Sequence, residues 1–312
     1  MAILQNKFNL PQQIVSAVMR DPYTRGESRI SVTQLIQPSR IIQLRRRHEH
    51  EIIEDVSDRI WALLGQTCHK ILERADDTGA FHEERIFVEI EGWKVSGASD
   101  CYVTQQVKYD LVGGKQVGSH ETIPPTIRDY KFIKTMAADF PHPDWEQQLN
   151  SLAYLWQSQG FPVARLEIVA IYRDWSKAFF ERGGGYPPAA QVHRQKMWSF
   201  EEQGQFLRQR VTLHKMAEKM LDRELPFCTP EEQWRRAPKF AVMHPKKKRA
   251  VKVFDTYFAA EQHITNVLKD RVHFVETRPA VATRCKGFCD VAPFCDQWAA
   301  EKLIDAPEQE AA

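Results

Sequence analysis

The sequence predicts an α/β protein, with one mixed central sheet flanked by helices. Three observations carry that expectation. Helical and extended periodicities succeed one another in the order helix, strand, strand, strand, helix, strand. The run Arg165–Tyr172 is short and rich in β-branched residues, as a buried strand requires. Hydrophobic residues make up 43% of the 312-residue chain and charged residues 27%, which suits a globular core and argues against wholesale disorder.

Residues 1 to about 27 read as irregular, interrupted by Pro11, Pro22 and Gly26, with one helical turn around 12–20. Ser31–Ile36 reads as a short extended or capping segment before Pro38. A long helix is expected over about 49–75. Ile53, Val56, Ile60, Leu64, Cys68, Ile71 and Ala75 recur there at helical spacing, and Asp76-Asp77-Thr78-Gly79 ends the pattern. Strands follow over about 84–90 and 93–103, turned by Glu91-Gly92. A polar hairpin turning at Gly113-Gly114 leads past Pro124-Pro125 into the strand around Asp129. Asp144 opens a helix to about Gln159, closed by Gly160. After strand 165–172, a Gly/Pro-rich loop (182–188) precedes a short strand and a charged helix over about 199–223. The chain thus divides into a helical N-terminal segment (1–48), an α/β core (49–225), a cysteine-bearing extension (226–300) and a flexible acidic tail (301–312).

Charge is nearly balanced, 43 basic against 41 acidic residues, so any surface for nucleic acid must be local. No apolar stretch approaches the ~20 residues a membrane helix needs. The start, Met1-Ala2-Ile3-Leu4, lacks a secretory pattern, so the expected location is the cytoplasm, with no membrane partner. The six cysteines should be reduced there, and clustered ones are read as metal ligands before disulfides.

Asp129 and Lys131 stand two residues apart in Ile127-Arg128-Asp129-Tyr130-Lys131-Phe132, so on a strand both project from one face. Such a pair is common on solvated strands, where it is worth under ~1 kcal/mol. A second acid, Asp100, closes Val95-Ser96-Gly97-Ala98-Ser99-Asp100, and alternation turns Cys101 toward the core. His69 shares a helix stripe with Gly65 and Glu73, and Gly65 allows a strand or ligand to come close. Two carboxylates, an imidazole and a lysine meeting at one point would make a divalent-metal phosphodiesterase site.

Jointly and in this order, the residues resemble the PD-(D/E)XK nuclease superfamily in its RecB-like exonuclease branch, which includes CRISPR-adaptation nucleases and many bacteriophage proteins. Gly65-x-x-x-His69-x-x-x-Glu73 is similar to the family's helix histidine motif, Gly97-Ala98-Ser99-Asp100 to its acid motif, and Asp129-Tyr130-Lys131 to its Asp-x-Lys. The family's next helix carries Gln with an aromatic one turn later. Here Gln148 is followed by Leu152 at that position and by Tyr154 six residues on, while Gln147 and Tyr154 share a face.

The resemblance implies a restriction-endonuclease-like core and a metal-dependent DNA exonuclease working in recombination, repair or end processing, in a host's cytoplasm if phage-encoded. Mg2+ or Mn2+ would be held by His69, Asp100, Asp129 and the Tyr130 carbonyl. Lys131 would orient water or stabilise the transition state, Gln148 would position substrate or water, and Glu73 would stand behind the ligands. The partner would be DNA, as single-stranded or duplex ends, with Tyr154 a weak contact. Oligomers or a recombination or adaptation protein as partner are compatible with it. Two alternatives stand beside this reading: a DNA-binding or assembly subunit keeping the fold as a scaffold, and a CRISPR-adaptation nuclease.

Cys285-x3-Cys289-x5-Cys295 is the second signal, three of six cysteines within eleven residues. A fourth thiolate is needed, and Cys228, in an exposed-looking loop, is the best placed. Four thiolates admit structural zinc or a 4Fe–4S cluster. The resemblance leans toward the cluster, in a structural role, although the distant cysteine here lies between core and triplet. Two basic runs, Arg45-Arg46-Arg47 and Lys246-Lys247-Lys248-Arg249, offer sequence-independent phosphate contacts; the second falls in a hairpin turn.

Overall fold

At Glu91-Gly92 the chain reverses through two residues at positive φ (49° and 70°), the geometry that a two-residue hairpin between twisted strands requires. The computed structural model describes residues 2–20, 26–74, 79–104, 106–112, 115–140 and 142–305. In chain order, β1 (Ile3–Gln5), α1 (Gln12–Met19), β2 (Ile30–Ser31), α2 (Val32–Leu35), α3 (Ser39–Arg47) and β3 (Ile53–Asp55) precede α4 (Ile60–Leu72). Five strands follow: β4 (Ala80–Ile90), β5 (Trp93–Val103), β6 (Gln106–Val112), β7 (Lys115–Ile123) and β8 (Thr126–Ile133). Next come α5 (Pro143–Ser158), β9 (Arg165–Tyr172), α6 (Lys177–Glu181), β10 (Ala190–Gln195) and α7 (Phe200–Lys219). The last run comprises β11 (Arg235–Arg236), β12 (Lys239–Met243), β13 (Lys252–Phe254), α8 (Tyr257–His263), β14 (Phe274–Arg278), β15 (Val281–Ala282), α9 (Thr283–Gly287) and α10 (Asp296–Asp305).

The chain forms two units, one of Leu4–Gln37 with Glu54–Glu218, the other of Met1–Ile3, Pro38–Ile53 and Lys219–Ala312. The larger is mixed α/β. Its sheet runs β10-β9-β8-β5-β2, with β4 also on β5. The β8–β9 and β2–β5 pairs are parallel and the others antiparallel. A parallel pair needs a crossover, and α5 supplies it between β8 and β9.

That helix buries Trp145, Leu149, Leu152, Leu155 and Trp156 in a core shared with Tyr102, Ile127, Leu166 and Ile168 of the sheet and Leu207 of α7. Each such side chain contributes ~1.5–3 kcal/mol on leaving water. Trp156 stacks on Tyr102 (centroids 4.2 Å apart); its indole N–H donates to Ser99 Oγ at 2.8 Å and the Tyr102 hydroxyl donates to the Pro162 carbonyl at 2.7 Å, so no polar atom of the pair is left unmet.

Gly97 sets how closely α5 approaches β5. A Cβ there would run into Leu152 and lie 3.2 Å from both Leu155 Cδ2 and Val32 Cγ2. The residue therefore serves helix–sheet packing. Gly97→Ala should cost ~1–3 kcal/mol by overpacking, read as a lowered urea midpoint at unchanged slope; an unshifted midpoint would show that the layer can give.

The expected helix over 49–75 is corrected. Ile53 belongs to β3 and Val56 to a 3-10 turn, and α4 starts only at Ile60. Asp55 causes the delay by capping that turn: its carboxylate accepts from the N–H groups of Ser57 (2.9 Å) and Lys7 (2.8 Å). The expected apolar stripe is not a core face either, since α4 buries none of its residues and leaves Leu64 and Ile71 exposed. At the C-terminus, α10 continues to Asp305, past the expected start of a tail; 306–312 lie outside the described residues. So does the expected Gly113-Gly114 turn, although β6 and β7 pair as an antiparallel hairpin around it. No helix among the described residues is long and apolar enough to cross a membrane.

Candidate active site

Two β-ladders fail at one residue. β5 pairs with β4 along its length, yet Asp100 and the facing Glu83 make no pair, and Glu83 takes φ 54°. A left-handed backbone at a non-glycine residue costs ~1–3 kcal/mol and persists only where its surroundings fix it. On the other edge, β5 pairs with β8 only over Cys101–Val103 and Thr126–Arg128. Asp100 thus lies where β5 parts from β8. Its carboxylate spans the gap, and the Tyr130 N–H donates to Oδ2 at 2.7 Å.

From α4, His69 meets this point. Its Nδ1 is 3.2 Å from Glu83 Oε1 and 3.5 Å from Asp100 Oδ1. One donor atom from each of His69, Glu83 and Asp100 falls within 4.8 Å of the other two, a grouping able to hold an ion.

Beside it, β8 and α5 close a triangle. Asp129 Oδ1 accepts from Gln148 Nε2 at 2.8 Å, and Oδ2 is 2.6 Å from the Lys131 ammonium. Lys131 in turn donates to Gln148 Oε1 at 3.2 Å. Asp129 is buried, so its charge is held by a partnered lysine rather than by water. Of the two glutamines, Gln148 makes these bonds. All six residues line one cavity of about 820 Å3, with Trp61 and Gly65 at its α4 side. Glu73 also lines it and pairs with Lys70.

The crowding of acids shows in their proton affinities. Burial, then the Asp129 charge, pushes the Asp100 carboxyl up to about 7 against the pull of His69, the Tyr130 N–H and Lys131. His69 is held above its ordinary value by its hydrogen bond to Glu83, against burial and with help from Asp100 and Asp129. Burial opposes the Lys131 ammonium, but Asp129 and Asp100 outweigh it and keep the lysine above its ordinary value.

Both Asp100 and His69 bind protons more tightly folded than unfolded, so metal-free stability from them is greatest in acid. The Asp100 share is complete below ~4 and is lost as pH rises through about 7. In chelator, the urea midpoint should fall from pH 5 to pH 8. Asp100→Asn keeps an acceptor for Tyr130 and should flatten that fall, gaining a few kcal/mol at most at pH 8. An equal slope in both proteins would refute the assignment.

The smaller unit gathers the other candidate ligands. Cys228, Cys285, Cys289 and Cys295 line one cavity with Arg40. Burial, then Glu232, pushes Cys228 up to about 12; burial, then Cys289, pushes Cys285 up to about 11. Burial also raises Cys289. Gln297 fixes the Cys228 backbone, accepting from its N–H (2.8 Å) and donating to its carbonyl (2.9 Å).

Arg40 of α3, fully buried, ties the site together. It donates to the carbonyls of Leu225 (2.5 Å) and Pro226 (3.2 Å), to Asp296 (3.0 Å) and to Cys295 Sγ (3.8 Å). In the basic run of α3, Arg45 pairs with Asp290 (2.6 Å) and Arg47 with Asp222 (2.5 Å).

Tyr154 is not at the cavity: it stacks on Phe200 at 4.7 Å and abuts Gly204 of α7. Lys246, Lys247, Lys248 and Arg249 lie exposed in the turn between β12 and β13. Sequence reasoning missed Glu83 and Arg40. A two-residue turn at Glu91-Gly92 sets Glu83 opposite Asp100, so the first could have been found; a lone arginine in a short helix names no partner.

No family model matches the chain, and no curated protein matches it. Among solved structures the chain is similar to the crystal structure of SSO0001, with a TM-score of 0.40 and 14% identity, over 65% of this chain and 83% of that one.

Proposed function

We propose that the larger unit is a divalent-metal-dependent deoxyribonuclease acting at DNA ends. One observation carries the reading: the His69–Glu83–Asp100 donor group and the Asp129–Lys131–Gln148 triangle face one cavity. The donor set fits the ion that such chemistry needs, because carboxylate oxygens with one imidazole suit Mg2+ or Mn2+. His69, Glu83 and Asp100 would hold it, with Asp129 and the Tyr130 carbonyl completing the set. When bound, the ion supplies Lewis acidity toward a phosphate oxygen and acidifies water.

The chain's own residues do the rest. Lys131 keeps its proton at neutral pH and presents an ammonium to charge building on the scissile phosphate. Gln148 fixes Lys131 and Asp129 in one orientation, so neither must reorganise during the reaction. The exposed Lys246–Arg249 turn would add phosphate contacts that lack sequence preference.

In the smaller unit we assign a 4Fe–4S cluster in preference to structural zinc, in a structural role. Tetrahedral zinc sets four sulfurs ~3.8 Å apart. A 4Fe–4S cube holds each on a separate iron. The four thiols share one cavity with Arg40, which suits either group, and the resemblance to the RecB-like branch carries the preference for the cluster.

The test is digestion of end-labelled linear single-stranded and duplex DNA with Mn2+ or Mg2+, beside an Asp129→Ala/Lys131→Ala variant. Wild type should release label and the variant should not; equal release would refute the assignment. Glu83→Gln should weaken Mn2+ binding at least ~10-fold in a calorimetric titration, and unchanged affinity would remove Glu83 from the ligands.

A further inference from the structure

Trp61, Gly65 and His69 occupy successive i, i+4 positions of α4, so they form one stripe, and all three line the cavity. Trp61 is 55% exposed. It is not a core residue displaced by crowding, since α4 buries nothing. The Arg173 guanidinium lies over its ring, 3.9 Å from the centroid, and backs the indole with a cation. Between Trp61 and His69 the helix is notched: a Cβ on Gly65 would meet no atom within 4 Å. Eight residues at 1.5 Å rise set the indole ~12 Å along the axis from the imidazole, within reach of a base a nucleotide or two from a phosphate at His69.

A flat, open aromatic face backed by a cation suits a nucleobase, whichever base it is. Inside a duplex each base face is covered by its neighbours and only the terminal pair bares one, so the indole best suits the bases of an unpaired end, each of which can unstack to meet it. We propose that Trp61 is a stacking platform for a single-stranded DNA end, whose backbone crosses the Gly65 notch on its way to His69 and Asp100. This deepens the nuclease reading and rests on it.

The test uses the full chain with Ca2+ in place of Mg2+, a short oligothymidylate and a blunt duplex. Oligothymidylate should quench tryptophan emission of the wild type. In Trp61→Phe, anisotropy should still report binding within a few-fold of wild type while most of the quench disappears. Trp61→Ala should weaken single-strand binding ~5- to 150-fold, with duplex binding changed far less. Gly65→Leu, which fills the notch, should weaken single-strand binding while the indole stays in place. Binding without quench, wild-type affinity in Trp61→Ala, or equal losses for both DNAs would overturn the platform. Failure of the wild type to bind either DNA would overturn the nuclease reading with it. A quench without label release in Mn2+ would sink the nuclease reading and leave the platform supported.

Discussion

Lys131→Met should lower Mn2+-dependent DNA hydrolysis ~10²- to 10³-fold, the usual loss when one preorganised donor to transition-state charge is removed. Methionine keeps the length of the stem and removes only the ammonium. The buried Asp129 carboxylate then has no cation at 2.6 Å, while its bond from Gln148 remains. An uncompensated buried charge costs ~3–5 kcal/mol, so the metal-free variant should also melt earlier than wild type. Mn2+ should raise its melting temperature by more than it raises the wild type's, because the ion brings the missing positive charge. Single-turnover cleavage and thermal melts with and without Mn2+ read both effects. A wild-type cleavage rate would remove Lys131 from the chemistry. Lost activity without the extra metal stabilisation would place Asp129 away from the ion.

The second large effect belongs to the cysteines. Cys285→Ser/Cys289→Ser removes two of the four thiols that line the Arg40 cavity. Without a cation, burial keeps Cys228 and Cys285 protonated to about 12 and about 11, so a cluster would form with release of protons. Cys–metal sites of this kind contribute ~10 kcal/mol or more to the folding of small units. Wild type should be brown, absorbing near ~400 nm. The variant should be colourless, with proteolysis concentrated in residues 219–305. Cys68→Ser, outside the group, should behave as wild type. A colourless, zinc-containing wild type would overturn the cluster, and a protease-resistant variant would refute its structural role.

What could be read from the sequence follows the range of each signal. The β4–β5 hairpin was legible because Glu91-Gly92 is a local turn signal. Asp129 and Lys131 were placed on one face by strand alternation alone, whereas Gln148 came only from the family resemblance, which left Gln147 open beside it. The helix start was not legible: Ile53 and Val56 continue a helical period, but the Asp55 cap, which binds Lys7 from far along the chain, ends its authority there. Glu83 escaped because the strand was expected to begin at 84, one residue short of the position that faces Asp100. Arg40 escaped because its partners stand 185 to 256 residues away, and nothing in Ser39–Arg47 encodes them.

His69 rides on a helix that buries none of its thirteen residues. A helix of that length is marginal by itself in water. Its opening costs less than unfolding of the sheet that carries Asp100 and Asp129, so the site's imidazole and its carboxylates belong to parts of different rigidity. Any ligand that joins His69 to Asp100 must also order α4, and its observed affinity is lowered by the fraction of time that helix is away. Substitutions on the far side of α4 that only raise helix propensity, touching no ligand, therefore act on affinity at the cavity. The exposed stripe is in this sense a tuning element for the centre.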